Sequence, residues 1–449
     1  MSTIASSAGS SAVVPVRFRI LGVLLALTFV NYLLRNNISV ALPSIRKEFD
    51  YTSTELGWIL GGFNLAYALC QVPGGLFGTA LGPRRALALI AVAWGVLTWL
   101  TGLVPAVFAG SATAALLGLM VVRFLMGVTH APIFPVSSGA IAQWFPIGRW
   151  AFPNAMQNFG LGLGQACVGP VVTFLIIAVG WRASFYWLAP LGFAVAAWWW
   201  FYARDTPRGH AAVDAGELAL IQAGREAEFA IPATSTRPDT APSRRAVMRS
   251  VLLDRNVLVL AASYFCMNCT FYIFADWLFT YLVEERKFSL LAGGLLFALP
   301  FIVGSVFAVL GGLVCDALCQ RIGPRWGCRS PAIAGLLMVS ILLLAGARAP
   351  NPYLAVALLA LCFAFTQFSD AAYWSAATFA GRRHTSAAAG VMNTGGSLPG
   401  LLAPLIGWLI DHVGWLPTFA GGSLMAVVGA GLWLLVDTSR SSHVRVGAG

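Results

Sequence analysis

Long apolar segments dominate this chain and leave little room for a water-soluble fold. Of its 449 residues, 58% are hydrophobic and 10% are charged, whereas a soluble domain carries roughly a quarter charged residues. A run of about 20 apolar residues can cross the hydrocarbon core of a membrane. The sequence therefore predicts an all-α membrane protein embedded in a lipid bilayer. We predict twelve spans, near 20–42, 55–78, 85–105, 111–137, 152–179, 183–203, 257–283, 290–315, 331–347, 352–380, 386–411 and 416–436.

The basic residues are distributed unevenly between the two sides of the predicted membrane. Segments on the same side as the two chain ends hold 20 of the 28 lysines and arginines, and the opposite loops hold 6. Because basic residues stay in the cytoplasm during insertion, both termini are predicted to be cytoplasmic, in a cytoplasmic (inner) membrane. This topology also accounts for the net charge of +11, so we expect no nucleic acid partner.

The two halves of the chain share short sequence patterns. Gly-Gly-Leu followed by Gly-Pro-Arg occurs at 74–84 and again at 311–325. Such similarity indicates an internal repeat. We predict an N-terminal tail (1–19), a six-helix bundle (20–203), a polar linker (204–256) with a short surface helix within 212–230, a second six-helix bundle (257–436) and a C-terminal tail (437–449).

Two arginines lie inside predicted spans that contain no acidic residue. They are Arg35 in the first span and Arg123 in the fourth. A charged side chain at membrane depth is costly, so it usually faces a cavity or a partner. The pattern predicts an anion from outside the chain, and a carboxylate substrate is the simplest choice.

Five sequence segments carry a resemblance to a known family. They are 30-VNYLLRNNISVALPSI-45, 66-AYALCQVPGG-75, 123-RFLMGVTHAPIFP-135, 277-WLFTYLVEERKFS-289 and 389-AGVMNTGGSLPG-400. The chain resembles the major facilitator superfamily, and within it the anion:cation symporter branch, which carries sugar acids, aromatic carboxylates and other organic anions. The resemblance implies twelve transmembrane helices in two pseudo-symmetric six-helix bundles.

The resemblance also implies a substrate site. Arg35 and Arg123 match the family's arginines on the first and fourth helices, and a guanidinium can bind a carboxylate through two hydrogen bonds. Tyr67 matches a tyrosine near the same site, and Tyr32 lies one turn before Arg35. The other candidates for substrate contact are Asn158, Tyr272, Trp374 and Asn393.

Other roles are open for these side chains. The arginines could instead bind backbone carbonyls or pair with charges of the other half. The aromatic candidates could be packing residues, and Asn393 could bridge helices.

Two departures from the family affect cation coupling. Leu34 stands where an acid commonly precedes the first-helix arginine, and His130 replaces a glutamate seven residues after Arg123. Three titratable groups could take over this role, namely His130, Asp276 and Asp370. His130 could instead be fixed by a hydrogen bond, and either aspartate could form an ion pair between the halves. We favour uptake coupled to a proton, with Na+ as the alternative cation, over uncoupled transport or anion exchange.

The inner loops after helices two and eight also differ from the superfamily pattern. An Asp-Arg pair is replaced by Thr79 and Ala80 in the first loop, whereas the second keeps Asp316. In the family this loop latches the outward-facing state. With Arg84, Arg85, Asp316 and Arg325 as latch candidates, we predict a weaker N-terminal latch and a shift toward the inward-facing state.

Other classes of function are less compatible with the sequence. No HExxH or GxSxG motif is present, so we expect no enzyme. Unpaired arginines would repel the substrate of a cationic-drug exporter, while a transporter-like anion receptor stays open. We expect no metal site, since the eight cysteines show no second ligand pair at suitable spacing. We also expect a monomer without a cofactor.

Overall fold

The computed structural model describes residues 14–108, 110–146, 151–222, 254–381 and 385–437, and these residues form helices and short connections. The helices of the N-terminal half and the linker are α1 (Val16–Phe49), α2 (Ser53–Leu81), α3 (Pro83–Val107), α4 (Ala112–His130), α5 (Ile133–Trp144), α6 (Ala151–Val179), α7 (Trp181–Tyr202) and α8 (Ala215–Gln222). Those of the C-terminal half are α9 (Arg255–Glu285), α10 (Leu290–Arg348), α11 (Pro352–Gly381), α12 (Thr385–Ser397), α13 (Ala403–His412) and α14 (Trp415–Trp433).

Three of the predicted spans are irregular helices. The fourth consists of α4 and α5 in sequence, and the eleventh consists of α12, a 3₁₀ segment at Leu398–Leu402, and α13. The seventh span, α9, contains π-helical turns at Ile273–Trp277 and Tyr281–Glu285. π-Helical turns are frequent at functional sites.

The 59 residues of α10 form two spans rather than one. Gly323 has φ 83° in the middle of this helix, a backbone conformation that favours glycine. The chain reverses there, and α10 becomes two arms. The twelve predicted spans are thus present, and the all-α fold with two six-helix bundles is confirmed. Several helices extend beyond the predicted edges, and α1 starts at Val16 and ends at Phe49.

The internal repeat is visible in the turns. Gly82 has φ 79° and precedes Pro83, and Gly323 has φ 83° and precedes Pro324. In the first half α3 packs against α7, and in the second half the second arm of α10 packs against α14. The two halves therefore repeat the same helix arrangement.

Among the described residues, two helix pairs make the most extensive contacts between the halves. α2 packs against α13, and α6 packs against the first arm of α10. Glycines allow these backbones to approach closely, since a Cβ added at Gly57 would lie 2.5 Å from the carbonyl oxygen of Ala403. Small residues have the same role at membrane helix interfaces generally.

One end of the interface between the halves is closed by charged and polar groups. Arg46 pairs with Glu284 at 2.7 Å and with Asp411 at 3.5 Å. Asp411 also accepts hydrogen bonds from the backbone N–H groups of Ser53 and Thr54, at the start of α2. We call this group the closed end. Hydrogen bonds also join the two bundles elsewhere. Among the residues that the structure describes, all such bonds and ion pairs lie at the closed end, at Gln71 of α2, or between the two.

The predicted linker and tails are described only in part. The expected surface helix within 212–230 is present as α8, and residues 223–253 lie outside the described ranges, as do 1–13 and 438–449. Glu217 of α8 accepts hydrogen bonds at 3.0 Å from the backbone N–H groups of Val16 and Arg17. An acidic side chain at a helix N-terminus is favourable, so α8 is fixed against the start of α1.

Candidate functional site

The two arginines predicted from the sequence lie next to each other in the N-terminal half. Arg35 of α1 is 8% exposed and Arg123 of α4 is 2% exposed. The Arg123 Nη2 donates a hydrogen bond of 3.0 Å to the carbonyl oxygen of Arg35, and its Nη1 lies 3.2 Å from the Met126 Sδ. Its Nε is buried without a hydrogen-bond partner. Two buried positive charges so close together favour a negatively charged group beside them.

Aromatic rings surround both guanidinium groups. The ring of Phe63 lies 5.0 Å from the guanidinium of Arg35 and 4.7 Å from that of Arg123. Arg35 also lies 4.6 Å from the ring of Tyr67 and 5.3 Å from that of Tyr32. Cation–π contacts contribute up to about 2 kcal/mol when the charge is desolvated. These rings can therefore hold the arginines in place without neutralising them.

An acidic residue of the other half lies close to this pair. Asp276, in the first π-helical turn of α9, is buried and interacts electrostatically with Arg35 and with Arg123. None of the ion pairs between described residues joins these three side chains. The sequence left open an interaction between an aspartate of one half and an arginine of the other. The structure adds one acid from the opposite bundle.

Asn64 of α2 holds Asp276 from across the interface. Its Nδ2 lies 3.4 Å from the Asp276 Oδ2 and donates a 3.0 Å hydrogen bond to the carbonyl oxygen of Gly400. One amide thus contacts α9 and the 3₁₀ segment before α13. Tyr272, one turn before Asp276, is buried and interacts electrostatically with Arg35. We call Arg35, Arg123, Tyr32, Phe63, Asn64, Tyr67, Tyr272 and Asp276 the central cluster.

Asn393 lies outside the central cluster but also joins the halves. Its Nδ2 donates a hydrogen bond of 3.2 Å to Gln71 Oε1, and Gln71 Nε2 lies 3.5 Å from the Ser397 Oγ. This geometry matches the alternative in which Asn393 bridges helices.

Asp370 and Trp374 form a separate group in the C-terminal half. The Tyr264 hydroxyl donates to Asp370 Oδ1 at 2.8 Å, and Trp374 Nε1 donates to Asp370 Oδ2 at 3.0 Å. Both carboxylate oxygens therefore have partners within one bundle. Trp374 is 42% exposed, so its ring has a free face.

His130 is packed behind Phe63. It is fully buried, its Nδ1 lies 2.8 Å from the carbonyl oxygen of Met126, and its ring centre lies 5.5 Å from that of Phe63 and 5.0 Å from that of Trp94. The geometry matches the alternative of a histidine fixed by a hydrogen bond.

Asn158 of α6 is the remaining predicted binding residue. Its side chain is exposed. It shares a face of α6 with Gly162, four residues later, where an added Cβ would lie 2.8 Å from the Ser305 Oγ of α10. Asn158 therefore lies on the side of α6 that faces the other bundle.

The sequence analysis missed Asn64 and Gln71, although a signal was present. Both are polar residues in an apolar helix, and with Tyr67 they have spacings of three and four residues. Residues at that spacing share one helix face. A polar face on α2 could have been read directly from the sequence.

Two of the four predicted latch residues, Arg84 and Arg325, contact acidic residues that lie just after the last helix of their own half. Arg84 binds the Asp205 carboxylate through its backbone N–H at 2.8 Å and the carbonyl oxygen of Trp200 through its side chain. In the second half, Arg325 lies 3.8 Å from Asp437. Arg85 and Asp316 are exposed.

The fold and the charged cluster between two six-helix bundles define a membrane transporter. Residues 24–404 match the Major Facilitator Superfamily, and the chain belongs to this family. Its relatives are transporters too, and the chain is no enzyme.

Three curated relatives cover most of the chain. It is 33% identical to a probable sulfoacetate transporter of Cupriavidus necator, with 92% of each chain covered. It is 27% identical to a probable galactarate/D-glucarate transporter of Escherichia coli, covering 88% of this chain and 89% of the relative. It is 24% identical to a hexuronate transporter of Bacillus subtilis, covering 88% of each.

Solved structures share the fold at low sequence identity. A bacterial homologue of the human lysosomal transporter Spinster, in an inward-facing and unoccupied conformation, has a TM-score of 0.71 at 18% identity, with 95% of this chain and 96% of that chain covered. A D-xylose-proton symporter has a TM-score of 0.69 at 15% identity, with coverage of 94% and 99%.

Proposed function

We propose that the protein takes up a small organic anion by alternating access, coupled to a cation that is most simply a proton. The observation that carries this proposal is the central cluster, in which two buried arginines of one bundle face one aspartate of the other. Transporters of this type place substrate and ion sites near the bilayer midplane, at the interface of two repeats.

The charges of the central cluster supply a mechanism for coupling. With Asp276 ionised, one negative charge competes with the substrate for two arginines. A proton on Asp276 removes that competition and leaves two positive charges for the incoming anion. Proton binding and anion binding then strengthen each other, since coupling between two sites is reciprocal.

The substrate class follows from the arginines and the relatives together. A guanidinium binds planar carboxylates and other oxyanions through paired hydrogen bonds. The relatives named above are assigned to sulfoacetate, galactarate or glucarate, and hexuronate. Sulfoacetate, galactarate and glucarate carry two negative charges, which matches two arginines. We therefore propose a sugar acid, a sulfonate or an aromatic carboxylate, with dianions preferred.

The orientation of the protein is part of the proposal. The count of basic residues places both termini in the cytoplasm, which puts the closed end on the outer side of the inner membrane. The conformation described here is then inward-facing. In this proposal Tyr32, Tyr67 and Tyr272 contact the bound anion beside the arginines, and Asn158, Trp374 and Asn393 contact it on its way to the cytoplasm.

Uptake into proteoliposomes tests this function. Labelled sulfoacetate, galactarate, glucuronate and phthalate would be offered with and without an inward proton gradient, and with a Na+ gradient as a separate arm. We expect gradient-driven uptake of at least one dianion, lost in Arg35→Ala and kept in the control Arg182→Ala. Arg182 also lies over an aromatic ring but pairs with Glu48 outside the central cluster.

Two outcomes would replace the proposal. Uptake that ignores both gradients but accelerates when anion is preloaded inside would mean anion exchange, which the loss of the family acids at Leu34 and His130 would explain. Specific binding of an anion without any flux would mean a receptor.

A further inference from the structure

Three cysteine side chains meet at the hairpin between the two arms of α10. Cys315 and Cys319 lie one turn apart at the end of the first arm, and Cys328 lies near the start of the second. Cys328 Sγ is 4.0 Å from Cys315 Sγ and 3.6 Å from Cys319 Sγ, and all three sulfurs lie within 4.8 Å of one another. The linear spacing of the eight cysteines does not indicate this group, because Cys328 joins the other two only through the chain reversal at Gly323.

The spacing of the sulfurs suits a single metal ion. Thiolates about 2.3 Å from a zinc ion are separated by roughly 3.8–4.0 Å in tetrahedral or trigonal arrangements. The two shorter sulfur distances bracket this value, so little movement is needed to bring the three sulfurs around one centre.

The surroundings of the three cysteines also favour a cation. Cys315 and Cys328 are fully buried, whereas Cys319 is partly exposed and gives an ion a route from solvent. Asp316 interacts electrostatically with Cys315 and Cys319, so negative charge is available beside the thiols. On the proposed orientation this hairpin faces the cytoplasm, where thiols stay reduced.

We propose that Cys315, Cys319 and Cys328 form a binding site for one thiophilic metal ion, Cu+ or Zn2+. Each thiol releases its proton to water as the sulfur coordinates the metal. Three sulfur ligands complete a trigonal Cu+ site, and Zn2+ takes a water as its fourth ligand. The bound ion fixes the hairpin that carries Asp316 and Arg325, the latch candidates of the C-terminal half. This inference does not depend on the identity of the transported anion.

Metal titration of the purified, reduced full-length protein tests the site. Zn2+ alone and Cu+ alone would each compete against a chromophoric chelator under anaerobic conditions. The variants are Cys319→Ser and Cys328→Ser, with Cys362→Ser as a control that also removes one thiol of the same half. Cys362 contacts Val339 on another part of the bundle.

We expect one tightly bound ion per chain in the wild type and in Cys362→Ser. Affinity should fall about 100-fold or more in each site variant, since outer partners of a metal alone contribute 10–100-fold. X-ray absorption of the loaded protein should show three sulfur ligands at about 2.3 Å. If the buried Cys328→Ser does not fold, the partly exposed Cys319→Ser carries the test. Equal affinity in the wild type and Cys319→Ser, or a metal shell without sulfur, would overturn the proposal.

Discussion

At the scale of single residues, two neighbours on α2 hold the charged groups. Phe63 contacts both arginines, and Asn64 contacts Asp276. The ring of Phe63 contacts both guanidinium groups, and the Asn64 amide reaches Asp276 and the Gly400 carbonyl of the other half. Consecutive residues on a helix point about 100° apart, which lets α2 serve both sets of contacts.

Tyr67 offers a test of how the arginines are held. Its ring lies 4.6 Å from the guanidinium of Arg35. We expect Tyr67→Leu to raise the KM for uptake roughly 5–30-fold, from the loss of about 1–2 kcal/mol of cation–π contact. Tyr67→Phe keeps the ring and should stay within about threefold of the wild type.

The control for this series is Tyr186→Leu. The ring of Tyr186 is tilted by 45° to that of Trp99, with ring centres 5.9 Å apart and outside the central cluster, so its loss should leave KM unchanged. If Tyr67→Phe is as impaired as Tyr67→Leu, the hydroxyl rather than the ring is the important group.

At the scale of helices, the mostly apolar α2 contributes several of the polar contacts between the two halves. Its polar residues Asn64, Tyr67 and Gln71 share one face, and this face meets Asp276, Arg35 and Asn393. Spacing within one helix can be predicted from the sequence. The partners come from residues up to 336 positions away, and that pairing depends on how the two bundles dock.

The same distinction explains which other features could be predicted. The twelve spans and the two arginines follow from local hydrophobicity, because a charge at membrane depth stands out in any apolar run. The approach of Asp276 to the arginines, and of Cys328 to the other two thiols, depends on tertiary contacts. The sequence therefore identified the charged and tyrosine members of the central cluster, but not Phe63 and Asn64 and not which side chains meet.

Close packing of α2 against α13 gives a prediction at this scale. A Cβ at Gly57 would lie 2.5 Å from the backbone carbonyl oxygen of Ala403. Gly57→Val should therefore destabilise the closed end by about 1–3 kcal/mol, and shift the population toward opening there roughly 5–150-fold. Labelling of a single cysteine in the interface, with a reagent that does not cross the membrane, measures the shift.

Gly421→Val is the matched control, because nothing lies within 4 Å of a Cβ at Gly421. Labelling should match the parent protein in this variant. Equal labelling of Gly57→Val and Gly421→Val would mean that this helix contact does not hold the end closed.

At the scale of the whole molecule, the hydrogen bonds and ion pairs that join the two halves, among described residues, lie at one end and at the centre. Arg46, Glu284 and Asp411 close that end. The backbone N–H of Arg84 binds Asp205, just after the N-terminal bundle, and the Arg325 side chain lies near Asp437, just after the C-terminal bundle. This is the arrangement expected when the opposite end of the interface is open.

The C-terminal end of α2 gives a prediction about this balance, since Thr79, expected in a loop, lies within the helix. It lacks the acid that the superfamily pattern has at Thr79, so restoring it with Thr79→Asp should strengthen the N-terminal latch. The outward-facing population should rise, and a cysteine near the closed end should become more accessible from outside. Thr79→Asn is the matched control for size. Equal accessibility in all three proteins would remove the latch argument.

The most direct test of the account is the transport behaviour of Asp276→Asn beside that of Asp370→Asn. The asparagine at 276 keeps the shape of the side chain but cannot bind a proton, whereas Asp370 is already held by Tyr264 and Trp374 within one bundle. We predict that Asp276→Asn loses accumulation driven by a proton gradient but still exchanges labelled for unlabelled anion, and that Asp370→Asn keeps both activities. Full gradient-driven accumulation in Asp276→Asn would contradict the account, because the coupling would then not pass through the central cluster.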